Sequence, residues 1–144
     1  MRNAQFSLLF LVCCAHALVH IYELSLPSVE QQIADEYYGG DTARGKLLTG
    51  QMSNSWRFTW GFGALGAGWL VDRYGSRQML ALYLAGCGAL CLAVIWCQTT
   101  ASLFVVMFAM GACASIYHPA GLALISHSSS VASRSRALGM HGVF

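Results

Sequence analysis

The sequence predicts an all-α membrane protein, and three observations predict it. Hydrophobic residues make up 56% of the chain and charged residues only 10%, against roughly a quarter charged in a soluble domain. The charges are also unevenly spread, because between Asp72 and Arg134 there are only Arg73 and Arg77. The apolar runs are continuous and rich in Leu, Ala and Gly, without the alternation of a barrel strand. Such a chain lacks the residues for a polar coat. A net charge of +2 with no basic run argues against a nucleic-acid partner.

A helix needs about 20 residues to cross a bilayer. Spans are expected at 5–27, 51–71, 79–98 and 102–126, with a fifth starting near 137 and running to Phe144. Met1-Arg2 ahead of an apolar run also fits a cleavable secretory signal, but the run continues to Pro27. At about 23 residues it suits a membrane helix better. Segment 28–50 is the one sizeable water-exposed outer loop, with Tyr37-Tyr38-Gly39-Gly40-Asp41 as its turn. In the second span the apolar part, 58–71, is too short to cross alone, so the polar end holding Gln51, Ser53, Asn54 and Ser55 must count toward the crossing. Its Gly61, Gly63, Gly66 and Gly68, with Ala64 and Ala67, form a small-residue surface that lets another helix approach.

Orientation follows from the positive charges. With a cytoplasmic N-terminus, Arg2, Arg73, Arg77, Arg134 and Arg136 fall inside and only Arg44 and Lys46 outside. The six cysteines, Cys13, Cys14, Cys87, Cys91, Cys97 and Cys113, all lie in apolar spans and read as small hydrophobes rather than a disulfide framework.

The third span holds nothing more polar than Tyr83, Gly or Cys and is expected to face lipid over much of its surface. The first, second and fourth carry ionisable or amide groups at depth. Such groups are costly in hydrocarbon and normally face a bundle interior or wet cavity. On the first span His16, His20 and Glu23 stand at i, i+4 and i+7, hence on one face. Glu23 lies about 10 Å beyond His16 at the helical rise, still within the hydrocarbon. Two imidazoles below a carboxylate either bind or relay a proton or act as polar glue between helices. The same set would suit a metal, but no second ligand cluster accompanies it. On the fourth span Pro119 is expected to kink the helix beside Tyr117 and His118. That break is either a packing kink or a broken-helix substrate or proton site. Arg57 on the second span either snorkels to the interface, with Trp56 and Trp60 as its aromatic belt, or attracts an anionic solute.

The loop after the second span reads Gly68-Trp69-Leu70-Val71-Asp72-Arg73-Tyr74-Gly75-Ser76-Arg77. Gly75 supplies a short turn, while Asp72 is placed to cap the next helix or pair with an arginine. The stretch resembles the loop signature of the major facilitator superfamily: a Gly, three residues, Asp-Arg, one residue, Gly, then basic residues. Gly68, Asp72, Arg73, Gly75 and Arg77 match, and Ser76 stands where a second basic residue is usual. His118-Pro119 and the run Arg136-Ala137-Leu138-Gly139-Met140-His141-Gly142 are similar to the fosmidomycin-resistance branch of that superfamily.

The resemblance implies two halves of six helices each, working by alternating access in a bacterial inner membrane. It implies proton-coupled efflux of a small organic solute, with the loop as cytoplasmic gate; the buried polar groups themselves offer His16, His20, Glu23, Arg57, Tyr117 and His118 as coupling or substrate candidates. Many proton-driven exporters carry Arg and Gln ahead of the fourth-helix glycine, whereas Met107 and Met110 precede Gly111 here. The proton carrier is then expected among Glu23 and the histidines. The chain is expected to be an incomplete N-terminal bundle that needs C-terminal helices and does not transport alone. No catalytic constellation, cofactor motif or metal site is expected. The alternatives are a stand-alone oligomeric four-helix protein, serving as scaffold, receptor or small exporter, and a metal-handling membrane protein.

Overall fold

The computed structural model describes residues 3–143, with side chains from Gln5 onward. Arg2 and Phe144, which entered the charge and span expectations, lie outside the described residues. Seven α-helices follow one another, with no strand among the described residues: α1 (Asn3–Ser28), α2 (Glu30–Tyr38), α3 (Thr42–Tyr74), α4 (Ser76–Ala93), α5 (Thr100–Ala114), α6 (Tyr117–Ser128) and α7 (Val131–His141).

Three helical stretches are long and apolar enough to cross a membrane: Gln5–Ser28, Ser76–Trp96 and Thr100–Ser128, the last combining α5 and α6. Helix α3 has the length, about 50 Å at the helical rise. Its polar first half and Arg57 dilute its hydropathy. Large apolar side chains point outward on these helices, including Phe58, Phe62, Leu65 and Trp69 along one stripe of α3. Water would penalise such a surface, and lipid tails would not. The chain is an all-α membrane protein.

The segment after α1 is helical rather than an open loop. Ile33, Ala34, Tyr37 and Tyr38 recur at helical spacing, and α2 buries Ile33 and Ala34 against the start of α3. Gly45 faces Ala34 so closely that a side chain there would overlap it. The turn falls at Gly39 and Gly40, whose φ values of 58° and 87° suit glycine. Asp41 then caps α3, accepting from the Arg44 N–H at 3.2 Å. Tyr37 donates to the Cys97 carbonyl at 3.1 Å, tying α2 to the end of the α4 crossing. At the opposite end Gln5 Nε2 donates to the Ser128 carbonyl at 3.1 Å.

Helix α4 is the least enclosed crossing: 17% of its apolar window is buried, against 44% for α5 and α6. Its inward anchor is Tyr83, fully buried, whose hydroxyl donates to the Ala15 carbonyl of α1 at 2.9 Å. Helix α5 begins at a capping box made by Thr99 and Ser102. It lies against α3 at Gly111, where a Cβ would overlap the Trp56 carbonyl and the Thr59 hydroxyl. Thr59 spans the same contact, donating to the Phe108 carbonyl at 3.0 Å. Of the small-residue surface expected on α3, Gly63 packs against Ser115 and Ala67 is buried, while Gly61, Gly66 and Gly68 face open space. Trp56 is not part of an interfacial belt. It is 2% exposed, inside the bundle, because the α3–α5 contact covers it.

Candidate functional site

The middle of α1 presents its polar face to α3, α6 and α7, and there the ionisable groups meet. Glu23 Oε1 receives Arg57 Nε from α3 at 3.0 Å. Glu23 Oε2 lies 3.2 Å from His20 Nδ1. His20 Nε2 in turn lies 3.2 Å from His16 Nε2. His16 Nδ1 reaches the backbone carbonyl of His141 on α7 at 3.2 Å. The His141 ring stacks on His16, with centroids 4.2 Å apart, and its Nε2 lies 2.8 Å from the Tyr117 hydroxyl. Tyr117 donates to the Val12 carbonyl of α1 at 2.8 Å. One connected chain therefore runs from Arg57 to Val12 across four helices.

Local structure explains the placement. An eight-residue stretch of α1 brings His16, His20 and Glu23 onto one stripe. Pro27 removes the backbone N–H that would have bonded the Glu23 carbonyl, loosening the helix just beyond the carboxylate. In the fourth crossing the break comes earlier than Pro119: α5 ends at Ala114 and α6 starts at Tyr117. Pro119 sits in the first turn of α6, where its missing N–H costs little. The offset at Ser115 and Ile116 turns Tyr117 inward, fully buried. His118 meets the rings of His16 at 5.4 Å and Trp60 at 5.4 Å.

Burial grades along the chain. His16 and His141 are buried, at 8% and 5% exposure. The Glu23 side chain is 19% exposed, whereas His20 and Arg57 are 43% and 46% exposed. The Arg57 end opens onto a cleft of about 230 Å³ lined by residues that include Glu30, Lys46, Ser53 and Asn54. Arg57 pairs across helices with Glu23, which is within reach, and the pairing satisfies both charges. Two buried polar atoms nearby, Ser53 Oγ and Trp56 Nε1, have no hydrogen-bond partner.

The structure therefore unites His16, His20, Glu23, Arg57, Tyr117 and His118, and it adds His141 and Tyr83. The signal for His141 was in the sequence, as an imidazole inside an apolar run, the same feature that marks His16. Among the described residues no metal-holding group of His, Cys, Asp and Glu is present. All six cysteines are free.

The loop between α3 and α4 forms a separate feature. Gly75, at φ 87°, both ends α3 and begins α4, so one residue makes the turn. Asp72 stays inside α3 and does not cap α4, whose N-cap Gly75 makes no side-chain bond. Arg73 lies over the rings of Trp69 and Tyr74 at 5.5 and 5.7 Å. Asp72 and Arg77 are both exposed, and Gly68 faces open space. Among the described residues no hydrogen bond or ion pair joins this loop to the α1 network.

No curated protein and no solved structure matches the chain. A family profile described as Major Facilitator Superfamily matches residues 6–144. That match takes in all but the first three residues of α1, the six later helices and the loop signature together, and the chain belongs to the Major Facilitator Superfamily of membrane transporters.

Proposed function

We propose that these helices serve proton-coupled secondary transport of a small organic solute, in the direction of efflux, by alternating access. The observation that carries the reading is the intramembrane chain Arg57–Glu23–His20–His16, with distances of 3.0, 3.2 and 3.2 Å. Ionisable groups at such depth are retained where they move ions or bind solute. The break at Ser115 and Ile116, with Tyr117 and His118 beside it, supplies irregular backbone next to the same network. The His118-Pro119 and Arg136–Gly142 stretches favour the fosmidomycin-resistance branch. Gly68, Asp72, Arg73, Gly75 and Arg77 act as the cytoplasmic gate, which places the N-terminus in the cytoplasm of a bacterial inner membrane. Partner helices of the same transporter pack on the open face that carries His20 and Arg57. These residues are too exposed here for an ion-coupling site working in hydrocarbon.

The test is transport in reconstituted vesicles with an imposed proton gradient. Glu23→Gln should insert normally and lose gradient-driven flux by at least tenfold. Unchanged dependence on the gradient would remove this network from coupling.

A further inference from the structure

The hydrogen-bond chain has a fixed proton count, set by the two backbone carbonyls at its inner end. A carbonyl only accepts. The Tyr117 hydroxyl therefore spends its one proton on Val12 O at 2.8 Å, and His141 Nε2, 2.8 Å from the same oxygen, must bring its own hydrogen. His16 Nδ1 must likewise carry hydrogen, because its partner at 3.2 Å is the His141 carbonyl. A neutral His16 then has a bare Nε2, so His20 Nε2 at 3.2 Å must be the donor. A neutral His20 would in turn have a bare Nδ1. That nitrogen faces Glu23 Oε2 at 3.2 Å, and an ionised carboxylate is also bare. Two lone pairs cannot hold each other at that distance. The chain closes only with one proton more than neutral imidazoles and an ionised carboxylate supply.

We propose that the network is a binding site for a single exchangeable proton, held between His20 and Glu23 and seated on His20. Arg57 decides the seat. Its Nε lies 3.0 Å from the other oxygen of the same carboxylate, and a guanidinium there favours the ionised form. His20 is then an imidazolium donating to both Glu23 and His16. The other groups facing the site are Tyr117 and His118 from α6, His141 from α7 and, behind Tyr117, Tyr83 from α4. Lys46 and Glu30 line the cleft at Arg57 but pair with each other at 4.0 Å and cancel, so Arg57 and His20 flank one carboxylate and the loaded site carries one net positive charge.

The same parity makes the site a store and not a wire. Passing the proton inward would require His16 to release its Nδ1 hydrogen, but that hydrogen points at a carbonyl that cannot pass it on. Loading and release both occur at the Glu23 end, beside the open cleft at Arg57. A dead end of this kind suits a coupled carrier, which must not leak. The inference deepens the proton-coupled reading above by naming seat and stoichiometry, and it rests on that reading only for the claim that this proton drives transport.

The experiment is ¹⁵N NMR of the histidine-labelled full chain in lipid bilayers, with infrared spectra in the carboxyl C=O region. Near neutral pH one imidazole of the network should show the imidazolium pattern, with a nitrogen–nitrogen coupling through its hydrogen bond to His16, and Glu23 should show no protonated-carboxyl band. His20→Gln should remove the imidazolium. Arg57→Gln should move the proton, losing the imidazolium and gaining a Glu23 carboxyl band that Glu23→Gln abolishes. The wild-type spectra alone decide the matter if a variant does not fold. Among the four network histidines, His16, His20, His118 and His141, neutral rings throughout, an imidazolium at one other than His20, or two imidazolium rings would each overturn the proposal; the exposed His127 lies outside the network. A proton found on His20 in a protein whose flux ignores the proton gradient would leave the site standing and sink the transport reading.

Discussion

Tyr117 and Tyr83 both donate to carbonyls of α1, yet their hydroxyls carry different loads. The carbonyls of Val12 and Ala15 already accept bonds within the α1 ladder, so neither is stranded when a hydroxyl is removed. Tyr83→Phe therefore loses one ordinary hydrogen bond, worth about 1 kcal/mol. Tyr117→Phe loses the same bond and also leaves His141 Nε2, 5% exposed, without its acceptor. A stranded buried donor costs about 1–3 kcal/mol more. Thermal unfolding in detergent should rank Tyr117→Phe as clearly the less stable variant. Equal melting temperatures would mean that the His141 bond contributes nothing. The Arg57–Glu23 pair shows the limit of local reading, since its members lie on different helices. Sequence placed Glu23 with His16 and His20 by helical spacing, but nothing local tied it to Arg57.

At the scale of elements, close approach of backbones determines where helices can tolerate bulk. Gly111 abuts the Trp56 carbonyl and the Thr59 hydroxyl, and backbone cannot yield as a flexible side chain can. Gly111→Ala should separate α5 from α3 and cost about 1–3 kcal/mol. Gly88, on the open side of α4, has nothing within 4 Å of an added Cβ. Gly88→Ala should be neutral or stabilising by about 0.5–1 kcal/mol, because alanine loses less backbone freedom in a helix. Matched melting curves check both. Helix α4 itself was readable as the outer crossing, because an apolar helix has no polar face to hide. Helix α2 was not, because nine largely polar residues suggest a loop until Ile33 and Ala34 find the start of α3 to cover them.

For the whole molecule, the loop between α3 and α4 offers a separation of stability from transport. Asp72 is exposed and makes no hydrogen bond or ion pair among the described residues, so Asp72→Asn should leave the stability within about 0.5 kcal/mol of wild type, read from matched melting curves. If the loop gates alternating access, the same change should still slow transport roughly 5- to 150-fold, the range of a 1–3 kcal/mol coupling. Normal flux would reduce the signature to a charged turn. Sidedness has its own test. In a background without the six native cysteines, Asp41→Cys should react with an impermeant reagent from outside and Ser76→Cys from inside. Reaction of both from the same side would rule out α3 as a membrane crossing.

What the sequence by itself determined is the class of the molecule: helical, membrane-embedded, with polar groups confined to particular crossings. Composition and run length suffice for that, because the bilayer acts on each helix separately and penalises every unpaired polar group. The loop signature, being contiguous, also survived as a one-residue turn at Gly75. Only the tertiary structure decided who partners whom. The Arg57–Glu23 pair, the stacking of His141 on His16 and the seating of Trp56 inside the bundle each join segments far apart in the chain. So did the offset that places Pro119 after the break rather than at it. Those outcomes depend on helix rotation and separation. Close-packed small residues and the competition of buried donors for acceptors set both of these, and no single helix contains that information.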